Sequence, residues 1–140
     1  MEENQNTNTF STKPKILLAE DDKYISRAYK DGLERAGFKV IIAFDGEEAM
    51  QKIKAEKPDL VLLDLVMPVK NGFEVLEELR IDGELSEIPV VILSNLGQES
   101  DIKKGKELGA VDYLIKANFS MKEVIEKVKE HLARSKLSRK

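Results

Sequence analysis

The chain contains no cysteine among its 140 residues. This absence excludes disulfide bonds, thiolate metal sites and cysteine nucleophiles. No apolar run approaches the roughly 20 residues that a membrane-spanning helix needs. The polar N-terminal segment also lacks the apolar core of a signal peptide. We therefore expect a protein with no membrane partner and a cytoplasmic location.

An excess of positive charge is missing as well. The formal net charge is -3 and the isoelectric point is about 5.4, so no nucleic-acid partner is expected. Hydrophobic residues make up 41% of the chain, which suffices for the core of one domain of this size. The single histidine, His131, falls late in the last predicted helix. A positive charge there suits the helix dipole, and we assign His131 no catalytic role.

The chain divides into a central domain and two polar ends. Residues 1–12 are rich in Asn, Thr and Glu and are predicted to be disordered. Residues 13–133 form the predicted domain, and residues 134–140 form a basic tail that is expected to fray. No linker or DNA-binding segment is evident after Leu132. We therefore expect the protein to act through contact with another protein.

Five short apolar runs alternate with amphipathic stretches between these ends. The runs predict strands near residues 15–19, 38–43, 59–63, 89–93 and 111–115. The third and fourth are nearly continuous Val, Leu and Ile, which is typical of central parallel strands buried on both faces. Five strand–helix units predict a three-layer α/β fold with a parallel sheet and right-handed crossovers.

The sequence predicts particular features for four of the helices. Asp22 and Asp45 are predicted N-caps, and the segment from Ser120 to Glu123 has capping-box spacing. The fourth helix, at about 98–108, is weakly apolar. We expect it to be the least firmly anchored helix.

Polar side chains follow four of the predicted strands. Glu20 and Asp21 follow the first strand, Asp64 the third, Ser94 the fourth and Lys116 the fifth. Ligands of open parallel sheets bind beyond the carboxyl ends of the strands, where these residues should meet. A carboxylate that ends so apolar a run as that before Asp64 is costly to bury without partners. Acids, a hydroxyl and an amine at one sheet edge suit metal and phosphate chemistry.

Four segments resemble the receiver domains of two-component response regulators. They are residues 16–22 (ILLAEDD), 62–68 (LLDLVMP) followed by Asn71 and Gly72, 92–94 (ILS) and 109–116 (GAVDYLIK). The similarity extends over residues 13–133 and points to a stand-alone, single-domain type. It implies a flavodoxin-like (βα)5 fold with strand order 2-1-3-4-5.

The resemblance also implies a phosphorylation site. Asp64 would accept a phosphoryl group from a histidine kinase or phosphotransfer protein, since a carboxylate can attack phosphorus when the charge is neutralised around it. Glu20, Asp21, Asp64 and the backbone carbonyl of Val66 would hold Mg²⁺, which prefers oxygen ligands. Three acids crowded together without metal repel each other, so Mg²⁺, or the loss of one acid, should stabilise the fold.

The resemblance implies roles for three further residues. Lys116 and Ser94 would contact phosphoryl oxygens, while Ser94 and Tyr113 would act as the switch. In the family the aromatic residue turns inward and changes the face formed by the fourth helix, fifth strand and fifth helix. That face would bind an unknown downstream protein. The protein would be a monomer, or a weak dimer that forms through the same face.

The sequence departs from the family pattern at two positions. Ala117 stands where proline with a cis peptide is usual; a cis bond here would cost about 3–4 kcal/mol, so either that strain is kept or the bond is trans. Asn95 replaces a small residue and could narrow access to Asp64. Val66 and Leu96 flank the site with apolar groups that should hinder water. We therefore predict a long-lived phosphoryl group.

Two other functions remain open at this stage. A magnesium-dependent phosphatase with an aspartyl-phosphate intermediate typically needs a second acid two residues after the nucleophile, where this chain has Val66. A pseudo-receiver would keep the fold as a binding module without phosphorylation, a reading that Asn95 and Ala117 favour. Taken singly, Asp64 would more often be a turn or cap residue than a functional one.

Overall fold

The computed structural model describes residues 13–138. The predicted N-terminal tail, residues 1–12, and the last two residues of the predicted C-terminal tail lie outside this range. Within the described residues the strands are β1 (Lys15–Ala19), β2 (Lys39–Ala43), β3 (Leu60–Leu63), β4 (Val90–Ser94) and β5 (Asp112–Ile115). All five predicted strands are therefore present, with ends shifted by a residue at most.

Parallel pairing joins the strands into one sheet with the order β2-β1-β3-β4-β5. This is the predicted flavodoxin-like order. Ala19 at the end of β1 pairs with Leu63 at the end of β3, and Leu63 in turn pairs with Ile92 of β4. The register brings the residues that follow β1 and β3 to the same level of the sheet edge.

Within residues 13–138, four α-helices connect the strands and a fifth follows β5. They are α1 (Lys23–Arg35), α2 (Gly46–Glu56), α3 (Gly72–Arg80), α4 (Glu99–Glu107) and α5 (Met121–Ser138). Asp22 and Asp45 cap α1 and α2, as predicted. At the start of α5, the Ser120 hydroxyl accepts the Glu123 N–H and the Glu123 carboxylate accepts the Ser120 N–H. This reciprocal pair is the predicted capping box.

Each face of the sheet is covered by its own apolar layer. The layer beneath α2, α3 and α4 contains alternate strand residues such as Leu17, Leu63, Ile92 and Tyr113. The layer beneath α1 and α5 contains the neighbouring residues, among them Leu18. This alternation follows from the two-residue period of a strand, and it explains why the central strands are apolar throughout.

Two features of α5 differ from the sequence-based expectation. The helix α5 continues through Ser138, past the domain boundary expected at residue 133. The interpretation of His131 as a helix-dipole residue is corrected, because its ring is buried and its Nε2 lies 2.8 Å from Asp112 Oδ2. This contact joins α5 to the first residue of β5.

The helix α4 buries little of its surface, as its composition predicts. Its one buried residue is Gly105, and Ile102 is half-buried. The Arg80 guanidinium of α3 donates to the Glu107 carbonyl at 2.8 Å, and the Lys104 ammonium lies 4.5 Å from the Phe73 ring centre.

None of the helices within residues 13–138 combines the length and the apolarity that crossing a bilayer requires.

Candidate functional site

Three acids meet at the carboxyl edge of the sheet. Glu20, Asp21 and Asp64 each place a carboxylate oxygen within 4.8 Å of the others. Glu20 and Asp64 are buried, whereas Asp21 is exposed. Backbone hydrogen bonds hold the two buried acids in place. The Glu20 N–H donates to the Ala43 carbonyl at 2.9 Å, and the Asp64 N–H donates to the Ala19 carbonyl at 3.0 Å. The convergence predicted from strand ends is therefore present.

Lys116 lies directly beside the two buried acids. Its ammonium group donates to Asp64 Oδ2 at 2.9 Å and to Glu20 Oε1. Burial alone would lower the pKa of Lys116, but the hydrogen bonds to Glu20 and Asp64 outweigh it and raise the pKa. Lys116 is thus a permanent cation at the bottom of the site.

Glu20 has a second partner at its other oxygen. Its Oε2 accepts the Asp22 N–H at 2.9 Å, and Asp22 in turn accepts the first amides of α1 from Tyr24 and Ile25. Burial raises the pKa of Glu20, against the opposing effect of its hydrogen bond to Lys116. The prediction that Asp22 caps the helix is confirmed, and Glu20 and Asp21 both belong to the cluster of three acids.

The loop after β3 approaches Asp64 closely because of a glycine. A Cβ on Gly72 would overlap the Asp64 carbonyl oxygen and would lie 2.7 Å from Leu65 Cα. The Gly72 N–H donates to the Leu65 carbonyl at 3.0 Å, and the Val66 N–H donates to Asp64 Oδ1 at 3.2 Å. The Asn-Gly pair therefore folds the loop back beside the acid. Asn71 also completes a capping box at the start of α3.

Ser94 and Tyr113 both contact the loop after β4. The fully buried Ser94 hydroxyl accepts the Leu96 N–H at 3.3 Å. The Tyr113 hydroxyl donates to the Leu96 carbonyl. Tyr113 is buried, with 8% of its surface exposed. The ring therefore points into the protein in this structure. The sequence did not indicate its contact with the Leu96 carbonyl.

The three acids, Ser94 and Lys116 line a cavity of about 300 Å³, together with Val66, Asn95 and Leu96. The side chains that were expected to limit access to Asp64 therefore lie at the wall of this cavity. A second cavity of about 390 Å³ shares Lys116 with the first and is lined in part by Tyr29 and Ala117. Sequence reasoning missed Tyr29, whose only signal is its place on the apolar stripe of α1.

The peptide bond between Lys116 and Ala117 is trans, since no cis bond occurs within residues 13–138. Of the two options left by the sequence, the trans bond is therefore correct. Lys116 opens a short 3₁₀ turn, Lys116–Asn118, and its ammonium still reaches Asp64.

The donor set fits a small divalent cation. Magnesium takes oxygen ligands, needs only one or two carboxylates and keeps several waters. Two buried acids and one exposed acid around an open cavity provide such oxygens and room for water. Val66, whose carbonyl is the expected further ligand, also lines the cavity.

Comparison with known proteins gives a consistent result. Residues 16–129 match the family described as Response regulator receiver domain. The chain is 42% identical over 124 residues to the alkaline phosphatase synthesis transcriptional regulatory protein PhoP of Bacillus subtilis (strain 168), a match that covers 89% of this chain and 50% of the relative. It is also 42% identical over 121 residues to the transcriptional regulatory protein CpxR of Escherichia coli (strain K12). That match covers 86% of this chain and 50% of the relative. The chain spans about half the length of these curated relatives.

Solved structures share the fold over nearly their whole length. The receiver domain of Francisella response regulator 1452 has a TM-score of 0.80 at 36% identity, covering 87% of this chain and 98% of that one. A CheY-like receiver domain protein of Methanospirillum hungatei JF-1 has a TM-score of 0.84 at 26% identity, covering 91% and 99%.

Proposed function

Because the chain belongs to the response regulator receiver domain family, we propose that it is a phosphoryl-accepting switch with Asp64 as the acceptor. The observation that carries this proposal is the pairing of the buried Asp64 with Lys116, next to two further acids. A carboxylate placed between a fixed cation and a candidate metal site is suited to attack phosphorus, since the charge of the transferring group is neutralised from both sides.

The donor would be a phosphohistidine of a histidine kinase or phosphotransfer protein. An Asp64 oxygen attacks the phosphorus, the P–N bond breaks, and its electron pair leaves with the imidazole nitrogen, which then takes a proton. Lys116 stabilises a phosphoryl oxygen as a point charge. When bound at Glu20, Asp21, Asp64 and the Val66 carbonyl, Mg²⁺ supplies further neutralisation of the phosphoryl charge.

Ser94 and Tyr113 are proposed to carry the response. Their bonds to the two backbone groups of Leu96 connect the acid site to the loop that leads into α4. A phosphoryl oxygen would accept the Ser94 hydroxyl proton. The movement of the hydroxyl toward it would lengthen the bond that the hydroxyl oxygen accepts from the Leu96 N–H. The face formed by α4, β5 and α5 would then change its preference for a downstream protein or for a second copy, as a population shift.

The reaction is proposed to end at the acceptor rather than to turn over an external substrate. Val66 occupies the position where aspartyl-phosphate phosphatases have their second acid, and it offers no proton donor. Its side chain is 58% exposed and lines the site. We infer a phosphoryl group that is lost slowly to water.

Incubation with Mg²⁺ and acetyl phosphate, followed by intact mass measurement, tests the acceptor. We expect a gain of one phosphoryl group that Asp64→Asn abolishes and that Asp31→Asn, at an exposed site on α1, leaves unchanged. Chelation of the metal should prevent the gain. No gain with any small phosphodonor or kinase would favour the pseudo-receiver, and repeated turnover of a phosphomonoester would favour the phosphatase.

A further inference from the structure

The loop between β3 and α3 contains a strained turn. Val69, in the middle of this loop, has a φ of +69°, and the Lys70 N–H donates to the Pro68 carbonyl at 2.7 Å. A hydrogen bond that closes only three residues around a positive φ is rare and unfavourable. The Val69 side chain is β-branched and 80% exposed, so packing returns little of this cost. Other contacts must therefore hold the turn in place.

The backbone of Lys70 supplies one of these contacts. It lies directly against Gly46, the first residue of α2. A Cβ on Gly46 would overlap the Lys70 carbonyl oxygen and would lie 2.6 Å from the carbonyl carbon. These are backbone atoms, which cannot rotate away as the end of a side chain can. The approach is therefore possible only because residue 46 has no side chain, and it places the turn against the beginning of α2.

The Lys70 side chain supplies a second contact, which links two helices. Its ammonium group donates to Glu78 of α3 and lies 3.3 Å from Glu47 Oε1 of α2. The bond between Lys70 and Glu78 raises the pKa of the lysine and lowers the pKa of the acid. An isolated exposed ion pair stabilises little, but the Lys70 side chain is only 24% exposed and has two partners. Lys54 extends the network, at 3.5 Å from Glu78.

The same loop forms one wall of the acid site. Val66 lines the cavity, and its N–H donates to Asp64 Oδ1 at 3.2 Å. Before the turn, the loop is anchored by Met67, the one buried residue between Val66 and Asn71. After the turn, Asn71 is fixed by its capping box at the start of α3. Between these two anchors the turn depends on the contacts of Lys70.

We propose that Lys70 is a positioning residue that clasps the strained turn between α2 and α3 and so keeps Val66 in place beside Asp64. Without this clasp, the turn relaxes toward a favourable φ at Val69 and carries Val66 away from the acids. The role of Val66 toward Mg²⁺ rests on the proposed function, whereas the hold on the loop does not. The clasp connects a network of charges on two helices to the geometry of the acid site.

Hydrogen exchange of the loop amides in the metal-free protein tests the clasp directly. Lys70→Met and Glu78→Gln both break the ion pair, and they change the net charge in opposite directions. We expect several-fold faster exchange of the Val66 and Gly72 amides in both variants, measured by NMR in the presence of chelator. The amide of Leu62 in β3 should exchange as in the wild type. Lys70→Arg, which keeps the cation, should stay close to the wild type in the loop as well.

Further variants distinguish the clasp from a general effect of charge or of loop stability. Lys54→Met removes a cation from the same acid, Glu78, but leaves Lys70 in place, so exchange should not change. Asparagine adopts a positive φ more readily than valine, so Val69→Asn combined with Lys70→Met should bring exchange back toward the wild-type rate. Gly46→Ala should speed exchange, although helix propensity alone would favour alanine. If Gly46→Ala does not fold, the charge variants decide.

The consequence for metal binding is measured by calorimetric titration with Mg²⁺. Loss of a positive charge would by itself strengthen the binding of a cation, and loss of a negative charge would weaken it. The clasp instead predicts that Lys70→Met and Glu78→Gln both weaken Mg²⁺ binding several-fold, because both release Val66. Lys54→Met gives the effect of charge alone.

Several results would overturn the inference. One is a Val66 amide that exchanges at the wild-type rate in Lys70→Met, which would make Met67 a sufficient anchor. Another is an equal increase in Lys54→Met, and a third is a double variant with Val69→Asn that exchanges as fast as Lys70→Met alone. Tighter Mg²⁺ binding by Lys70→Met would contradict the connection to the metal site. Absence of Mg²⁺ binding in the wild type would count against the proposed function alone, because the exchange comparison needs no metal.

Discussion

The ammonium group of Lys116 lies 2.9 Å from the Asp64 carboxylate. The same group also bonds Glu20, so one half-buried cation is shared by two buried acids. The metal-free protein therefore carries a counter-ion of its own. A divalent ion that binds these acids has to share their oxygens with Lys116, and this sharing makes the stability of the protein dependent on both cations.

Replacing Lys116 with methionine removes that counter-ion. The free energy of unfolding of the metal-free protein should fall by about 3 kcal/mol, because two buried carboxylates lose their partner. Added Mg²⁺ should recover part of the loss and should stabilise the variant more than the wild type. Urea unfolding followed by circular dichroism, with chelator or with Mg²⁺, measures both effects. Lys122→Met, at an exposed site on α5, is the control, and an equal Mg²⁺ response in Lys116→Met and wild type would contradict the shared-oxygen view.

Asp21 is the acid whose removal should stabilise the metal-free protein. It is exposed, and the bonds of Lys116 go to the other two acids. Asp21→Asn relieves repulsion in a partly solvated site, so we expect a gain below about 1 kcal/mol and a smaller shift of the melting temperature with Mg²⁺. Glu20→Gln should instead lower stability, because Lys116 loses a partner. A lower melting temperature for Asp21→Asn in chelator would show that repulsion is not the dominant effect.

Val66 is expected to slow hydrolysis of the phosphorylated protein. Val66→Asn replaces an apolar side chain at the cavity wall with one that can bind water, so the phosphoryl group should be lost several-fold faster. The decay of the phosphorylated mass after removal of the phosphodonor measures the rate. Val69→Asn introduces the same side chain in the same loop but outside the cavity lining. An unchanged or slower rate in Val66→Asn, or an equal increase in Val69→Asn, would refute the mechanism.

Val69 itself should be a site of gain in stability. Its φ is +69° and its side chain is 80% exposed, an unfavourable conformation for a β-branched residue with little packing in return. Asparagine adopts this region more readily, so Val69→Asn should raise the free energy of unfolding by about 1 kcal/mol. Denaturant titration measures it. Val111→Asn, at an exposed valine with negative φ, should show no such gain.

The contact between Asp112 and His131 predicts a dependence on pH. Burial tends to raise the pKa of Asp112, but the hydrogen bonds from His131 and the Tyr113 N–H outweigh it and lower the pKa. Because the folded pKa is depressed, the stabilisation is present above the unfolded value of about 3.9 and is lost as pH falls through the folded value. At pH 7, Asp112→Asn should cost about 1 kcal/mol.

The difference between Asp112→Asn and wild type should therefore shrink as unfolding is measured at successively lower pH below about 4. Asp31→Asn provides the comparison at an exposed carboxylate. A difference that stays constant down to the most acidic pH at which the protein folds would show that the ionised Asp112 contributes nothing through this contact.

The strands and the convergence of the acids could be predicted because both follow from local patterns. Continuous apolar runs identify buried parallel strands, and the carboxyl ends of such strands share one edge. The resemblance then supplied the expected roles of Lys116 and Ser94 beside a phosphoryl group on Asp64. These inferences need residue types and their order, but no side-chain conformation.

Contacts between distant side chains could not be predicted in this way. His131 was read as a charge at a helix end, whereas its Nε2 lies 2.8 Å from Asp112, which stands 19 residues earlier at the start of β5. The bond from the Tyr113 hydroxyl to the Leu96 carbonyl depends on the path of the loop after β4, which residue types alone do not give. The trans bond before Ala117 likewise depends on the conformation of the whole loop.

The division of the core into two layers has a mechanical consequence. Tyr113 belongs to the layer beneath α4, while the side chains that anchor α5 belong to the opposite layer. A rearrangement around Tyr113 can thus loosen the packing on one face of the sheet and leave the packing on the other face unchanged. Amide hydrogen exchange in α4 should then respond to modification of the acceptor, while exchange in the buried half of α1 stays constant. The two faces of the sheet would differ in their local stability, although they belong to one domain.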